Sequence, residues 1–68
     1  MKITVNGEQR DITLASATVA DILDALDVQP RRGIAVARNG RVVPRSEWET
    51  EPVEDGDAVE VVRATQGG

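Results

Sequence analysis

Two Asn-Gly dipeptides limit the folds open to this chain more than any other feature. Asn6-Gly7 follows a segment in which apolar and polar residues alternate, and Asn39-Gly40 follows a mostly apolar run at residues 34–37. Asn and Gly tolerate the positive φ angles of a two-residue type I′ turn, so this pair is a strong signal of a β-hairpin. The sequence therefore predicts one hairpin over residues 1–14 and a second over residues 33–43.

The apolar pattern changes its period between the two hairpins. From Thr18 onward the spacing becomes i, i+3, i+4 and i+7, which is typical of one face of an amphipathic helix. Thr18 is the predicted N-cap, and Asp21 at the N3 position completes a capping box. Pro30 sets the far limit, because the residue before a proline is pushed out of helical conformation. The apolar face consists of Val19, Ile22, Leu23 and Leu26.

The second half of the chain contains further breaks and one more strand. Pro44, directly after the second hairpin, allows an edge strand but not a central one. The Ser-x-x-Glu pattern that begins at Ser46 covers too few residues for a full helix, so we expect a single turn there. Residues 54–57 predict a tight turn, and residues 58–63 predict a last strand with Val59 and Val61 facing inward.

The predicted order is strand, strand, helix, strand, strand, strand and then a tail at residues 64–68. A helix between two hairpin-like units must cover one sheet face, and short right-handed connections favour a mixed sheet. This is an α+β fold of the β-grasp type, a mixed sheet packed on one helix, with the first and last strands parallel at the centre. We expect a single domain over residues 1–68 with a flexible C-terminal Gly-Gly tail.

Composition excludes several classes of function. The 68 residues include no Cys and no His, which excludes disulfides, zinc sites and Cys or His nucleophiles. A net charge of -4 and a single aromatic residue argue against nucleic acid binding, which needs a basic face and stacking side chains. The apolar runs are too short to span a membrane. We therefore expect a cytoplasmic protein with neither nucleic acid nor membrane partners.

Two charge clusters and one tryptophan are further candidates for binding sites. Six acids between residues 47 and 57 could hold a hard cation, but their irregular spacing favours a solvated or partner-facing surface, and we predict no metal site. Five arginines between residues 31 and 45 either meet an acidic partner or form a solvated hairpin edge. Trp48 is expected to cover the small core rather than to form a binding hot spot.

The strongest functional signal is the C-terminal Thr65-Gln66-Gly67-Gly68. A terminal Gly-Gly is either a frayed end or an expression remnant, or an extended segment that enters a narrow channel and presents its carboxylate. A carboxylate becomes a good electrophile once it is joined to a nucleotide phosphate, and the sequence has no phosphate-binding loop or nucleophile for that step. If the tail presents its carboxylate in this way, the chain is a non-enzymatic carrier without catalytic residues, and Gly68 is the reacting residue.

Four motifs follow one another along the chain. They are Asn39-Gly40, then Val43-Pro44-Arg45 leading to Trp48, then Asp55-Gly56-Asp57, and the terminal Gly67-Gly68. In this order, and over a chain of this length, they resemble the ThiS family, the sulfur carriers of thiamine synthesis. The chain is also similar, more distantly, to the molybdopterin synthase small subunit and to ubiquitin. The resemblance implies a ubiquitin-like β-grasp.

The resemblance also implies a cycle on Gly68. An E1-like adenylyltransferase uses ATP to adenylate the Gly68 carboxylate, and a sulfur donor such as a cysteine desulfurase provides persulfide sulfur for a thiocarboxylate. Thiazole synthase then takes this sulfur for the thiazole of thiamine, and the carrier itself binds no cofactor. The residues implied to touch these partners are Thr65, Gln66 and Gly67 inside the active sites, and Val62, Arg63 and Ala64 at the docking surface.

Three other functions stay open from the sequence. One is a sulfur carrier for molybdopterin or another thiolation pathway. Another is a ubiquitin-like modifier whose Gly68 forms isopeptide bonds with lysines of other proteins. The last is a plain β-grasp interaction domain in which the two glycines are incidental.

Overall fold

A computed structural model describes residues 1–63 of the chain. A short 3-10 turn, Arg45–Glu47, lies in the second half of this part. The other elements, in chain order, are β1 (Lys2–Val5), β2 (Glu8–Asp11), β3 (Ala17–Thr18), α1 (Val19–Ala25), β4 (Ile34–Arg38), β5 (Arg41–Val43), β6 (Pro52–Val53) and β7 (Ala58–Arg63).

Five of these strands form one mixed sheet in the order β2-β1-β7-β4-β5. β1 and β7 are parallel, with Val5 opposite Val59, and the other neighbouring pairs are antiparallel. β7 is therefore the central strand, and β5, which Pro44 follows, is an edge strand. The predicted β-grasp arrangement, with the first and last strands parallel at its centre, is confirmed.

Both predicted hairpin turns are present. Asn6 and Gly7 have φ angles of 51° and 85°, and Asn39 and Gly40 have 52° and 84°, as a type I′ turn requires. The first hairpin is shorter than predicted, because β2 ends at Asp11 and Leu14 lies outside it, 38% exposed. Leu14 therefore does not continue the inward side of that strand.

The helix begins as its sequence predicts. Asp21 N–H donates to the Thr18 hydroxyl at 3.3 Å, and Thr18 N–H donates to the Asp21 carboxylate at 2.9 Å, which completes the capping box. The helix ends well before Pro30. Asp27 takes a positive φ of 56°, and Val28 N–H donates to the Leu23 carbonyl at 3.0 Å. These features form a Schellman motif, with an aspartate where glycine is usual.

One face of the five-stranded sheet packs against α1 to form the core. Trp48 belongs to this core at 6% exposure, and its Nε1–H donates to the Val43 carbonyl at 2.9 Å. The prediction that Trp48 covers the core is confirmed. The buried side chains of the core are Ile3, Val5, Ile12, Ala17, Val19, Ile22, Leu23, Val36, Val43, Trp48, Val53 and Val59.

Two details of the predicted element order are corrected. A second, two-stranded sheet was not predicted: β3 and β6 pair antiparallel, with Ala17 opposite Val53. Ser46 does not cap a turn, because the 3-10 turn begins one residue earlier, at Arg45, and no side chain caps it. The Glu47 N–H donates instead to the carbonyl of Pro44, whose fixed φ starts the turn.

Within residues 1–63, no helix is long and apolar enough to cross a membrane.

Candidate functional site

The predicted site residues fall on both sides of the boundary of the described structure. Ala64, Thr65, Gln66, Gly67 and Gly68 lie outside the described residues, so their predicted roles stay predictions. Val62 and Arg63 are the last two residues of β7. The described part of the site is therefore the base of the tail, at one end of the central strand.

Val62 lies on the sheet face that points away from the helix. It is 60% exposed and stands opposite Ala35 of β4, while Val42 of the neighbouring edge strand is 68% exposed. The alternation of a β-strand places these side chains on the same face, because Val36 and Val43, the neighbours of Ala35 and Val42, are buried. We define the outer apolar patch as Ala35, Ala37, Val42 and Val62 around Glu60.

The Arg63 side chain lies against the backbone of an earlier part of the chain. Its Nη1 donates to the Pro30 carbonyl at 2.8 Å, and its Nη2 is 3.4 Å from the Gln29 carbonyl oxygen. Its backbone forms the last pair of the β4–β7 ladder, opposite Ile34. The predicted docking residue thus joins the end of β7 to the loop that precedes β4.

Asn6 supports the same strand from its other side. Its Nδ2 donates to the Val61 carbonyl at 3.1 Å, and its Oδ1 accepts from the Val61 N–H at 2.8 Å. The sequence marks Asn6 only as a turn residue. A contact between residues so far apart in the chain leaves no signal in local sequence pattern.

The start of β7 is held by a charged network around Asp57. Its carboxylate accepts hydrogen bonds from Arg38 Nε at 2.6 Å, from Asn39 Nδ2 at 3.0 Å and from the Glu54 N–H at 2.8 Å. Arg38 also donates to Glu51 through Nη1 at 3.1 Å. Asp57 is buried at 8% exposure.

The surroundings of Asp57 change the pKa values of the central pair. Burial alone raises the pKa of the Asp57 carboxyl, but the hydrogen bonds from Glu54, Asn39 and Arg38 outweigh it and lower the pKa below the ordinary value. The hydrogen bond to Asp57 raises the pKa of the Arg38 guanidinium, which burial opposes and Glu51 supports. Both groups are therefore charged at neutral pH.

The structure assigns much of the acidic segment to contacts inside the chain. Besides Asp57 and Glu51, the Asp55 carboxylate accepts from the Lys2 N–H at 2.6 Å. Among residues 1–63, no group of three or more carboxylates is placed to hold a metal ion. These acids hold loops and strand ends together.

Some of the clustered arginines are also used within the chain. Arg45 lies over the Trp48 ring with its guanidinium carbon 4.9 Å from the ring centroid, and it donates to the Arg31 carbonyl. Arg31 pairs with Asp24. Together with Arg38, these residues do not form a continuous row of unpaired cations on a hairpin edge.

Comparison with known proteins identifies the family of this chain. The family model described as the ThiS family matches residues 3–68. The sulfur carrier protein ThiS of Escherichia coli is 39% identical over 54 residues, which are 79% of this chain and 80% of that protein. A crystal structure of the thiamine biosynthesis protein ThiS from Geobacter metallireducens is 36% identical, covers 100% of both chains and superposes with a TM-score of 0.89.

A longer relative also contains a matching segment. A thiazole synthase of Paramagnetospirillum magneticum is 43% identical over all 68 residues, which span only 20% of its length. Because the family model covers nearly all of the sequence, and relatives of similar length share its fold, this chain belongs to the ThiS family of sulfur carrier proteins.

Proposed function

We propose that this chain carries sulfur for thiazole formation in thiamine biosynthesis, as a thiocarboxylate on Gly68. The observation that supports this most directly is the extent of the family match, which runs through Gly67-Gly68. The relatives named as sulfur carriers and as a thiamine biosynthesis protein support the pathway. The chain is a carrier and not a catalyst.

The chain's own residues explain why a partner has to activate it. Sulfur cannot be stored on a cysteine, because the sequence has none, and a glycine carboxylate does not react with a thiol unaided. An E1-like adenylyltransferase joins the Gly68 carboxylate to the α-phosphate of ATP, and pyrophosphate leaves. ATP is thus a substrate of the partner rather than a cofactor bound by this chain.

Sulfur transfer follows on the activated carbonyl. The terminal sulfur of a persulfide, formed by a donor such as a cysteine desulfurase, attacks the acyl carbon and AMP leaves. A thiol then attacks the donor's sulfur in the resulting acyl disulfide. This releases the thiocarboxylate on Gly68 and leaves a disulfide between the donor and that thiol. Thiazole synthase receives the sulfur from Gly68 in the last step.

The outer apolar patch is the proposed docking surface for these partners. Val62 and Val42 are large apolar side chains exposed on the same sheet face, on either side of Ala35 and Ala37 of β4, and an exposed apolar face on a small, charged protein is typical of an interaction site. In the docked complexes, Thr65, Gln66 and Gly67 thread the active-site channel of the partner, so that the Gly68 carboxylate reaches the reacting groups. A thiazole synthase with a segment 43% identical to this chain supports thiazole synthase as one partner. We propose that the chain works in the cytoplasm.

Intact-mass spectrometry tests the proposed function. The chain is incubated with the E1-like enzyme of the thiamine pathway, ATP, a cysteine desulfurase, cysteine and a reducing thiol. We expect one oxygen to be replaced by sulfur, and fragmentation to place the change at Gly68. No replacement with an enzyme that loads another ThiS protein in parallel would refute the proposal.

A matched variant shows whether the carboxylate of Gly68 is the reacting group. An alanine appended after Gly68 converts that carboxylate to an amide and leaves residues 1–63 unchanged. We expect this variant to fold normally and to remain unloaded. Loading at an unchanged rate would place the chemistry elsewhere.

A further inference from the structure

We infer that Arg63 and Asn6 are positioning residues, which fix the direction in which the chain leaves β7 toward Gly68. The inference rests on the sulfur-carrier function proposed above and deepens it. In this inference Arg63 acts through contacts within the chain, rather than through the partner contact that the family resemblance implies.

The need for such residues follows from the register of the sheet. β1 pairs with β7 only as far as Val59, opposite Val5, and then turns away at Asn6. β7 continues to Arg63 with β4 as its only strand neighbour among the described residues. The backbone of residues 60–63 is therefore supported by a ladder on one side only.

Asn6 replaces the missing strand at one position. Its amide group donates to the Val61 carbonyl and accepts from the Val61 N–H, which is the pair of bonds that a neighbouring strand would make. The side chain thus extends the support of β7 by two residues beyond the last pair with β1.

Arg63 holds the end of the strand by a different route. Two nitrogens of its planar guanidinium face the carbonyl oxygens of Gln29 and Pro30. These carbonyls belong to the loop between α1 and β4, so the side chain joins the last residue of β7 to the body of the fold. The backbone at residue 63 is then held through Ile34 on the ladder and through its own side chain.

The direction at residue 63 matters because the remaining segment is short. Residues 64–68 span at most about 17 Å when fully extended. A docked carrier has to deliver the Gly68 carboxylate to within bonding distance of a nucleotide phosphate, and small misplacements of a reacting group reduce turnover strongly. If the base of the tail swings, a smaller fraction of docked complexes holds the carboxylate in place.

The test compares sulfur loading by four variants at several carrier concentrations. Arg63→Ala removes the bonds to the loop. Asn6→Gly removes the bonds to Val61 and keeps a residue that tolerates the positive φ of the turn. Arg63→Lys leaves one cationic donor, and Arg41→Ala is the control for loss of an exposed arginine.

We expect Arg63→Ala and Asn6→Gly, each of which removes two hydrogen bonds, to lower kcat about fivefold, the lower end of the effect of two such losses, with KM unchanged. Arg63→Lys should recover part of this loss, and Arg41→Ala should load like the parent chain. A raised KM for Arg63→Ala at unchanged kcat, with Asn6→Gly behaving like the parent, would make Arg63 a direct partner contact and overturn the inference.

Amide hydrogen exchange on the free chain tests the same inference without any partner. Exchange at residues 61–63 should be about fivefold faster in Asn6→Gly and Arg63→Ala than in the parent or in Arg41→Ala. Unchanged exchange in both variants would overturn the inference. Failure of the parent chain to load would instead refute the sulfur-carrier function, and the exchange result would still decide whether these side chains hold β7.

Discussion

Replacing Asp57 by asparagine tests whether the charged network holds the start of the central strand. The carboxylate accepts three hydrogen bonds, from Arg38, Asn39 and the Glu54 N–H. Asparagine has nearly the same shape but one acceptor oxygen, so its NH₂ group must face at least one of these donors. Hydrogen bonds to charged groups contribute about 1.5–3 kcal/mol each. We expect Asp57→Asn to lower the free energy of unfolding by about 2–3 kcal/mol.

This loss is large for a chain of this length. Small domains are stable by roughly 0.05–0.15 kcal/mol per residue, which is about 3–10 kcal/mol here. Urea unfolding followed by Trp48 fluorescence measures the difference. Glu54→Gln is the matched control, because Glu54 is exposed in the same loop and contributes its backbone N–H rather than its side chain. We expect the control to change stability by less than about 0.5 kcal/mol.

The difference in unfolding free energy between the parent chain and Asp57→Asn should depend on pH, which provides a second test. The pKa of Asp57 is lowered in the folded chain, so its ionisation stabilises the fold above the unfolded carboxyl pKa of about 3.9. That stability is lost as the pH falls through the folded pKa, because a protonated Asp57 resembles asparagine. The gap between the parent and Asp57→Asn should therefore narrow below about pH 4. A gap below about 0.5 kcal/mol at neutral pH, or one independent of pH, would refute the reasoning.

Three further substitutions test other parts of the fold and the docking surface. Trp48→Phe keeps an aromatic ring in the core but removes the indole N–H that donates to the Val43 carbonyl. It should lower the free energy of unfolding by about 1–2 kcal/mol, measured by urea unfolding followed by circular dichroism. Thr18→Ala removes the helix cap and should cost about 1 kcal/mol in the same assay. Val62→Ser should leave stability within about 0.5 kcal/mol of the parent but raise KM for sulfur loading; an unchanged KM would remove Val62 from the docking surface.

The elements that the sequence predicts well are specified by residues close together in the chain. The two Asn-Gly turns depend on φ angles that few residues adopt, so the residue types identify them. The helix start depends on hydrogen bonds exchanged between Thr18 and Asp21 within one turn. Local chemistry of this kind is visible without knowledge of the fold.

The elements that escape prediction depend on contacts between distant segments. β3 and β6 contain two residues each, too few to show an alternating pattern, and they exist because Ala17 meets Val53 across the chain. At Ser46 the sequence predicts a feature that the structure lacks. The spacing of Ser46 to Glu49 fits a capping box, but Pro44 already fixes where the turn begins. The burial of Asp57 is equally invisible, because an acid in an acidic loop is usually solvated.

The candidate site also contains residues that the sequence identifies and residues that only the structure reveals. The family resemblance selects Val62 and Arg63, and the structure places them at the base of the tail, with Val62 exposed. The partners of Arg63 in the loop at residues 29–30 cannot be predicted, because they depend on how that loop folds beside the end of β7. Asn6 is found only once the parallel pairing of β1 and β7 is known.

The contacts at the two ends of β7 have different roles, one in the stability of the fold and the other in the delivery of the Gly68 carboxylate. The network at Asp57 lies at the start of the strand, among loops that close the fold, so weakening it acts on the unfolding equilibrium of the whole chain. The bonds of Asn6 and Arg63 lie at the other end, where one side of the strand has no ladder, so weakening them acts on where the tail begins. A carrier that is handed between enzymes needs both, since each partner must meet the same folded surface and the same exit direction. Variants at the two ends should therefore have different effects. Asp57→Asn should lower stability and leave kcat of the folded chain unchanged, whereas Asn6→Gly and Arg63→Ala should lower kcat at temperatures at which these variants are still fully folded.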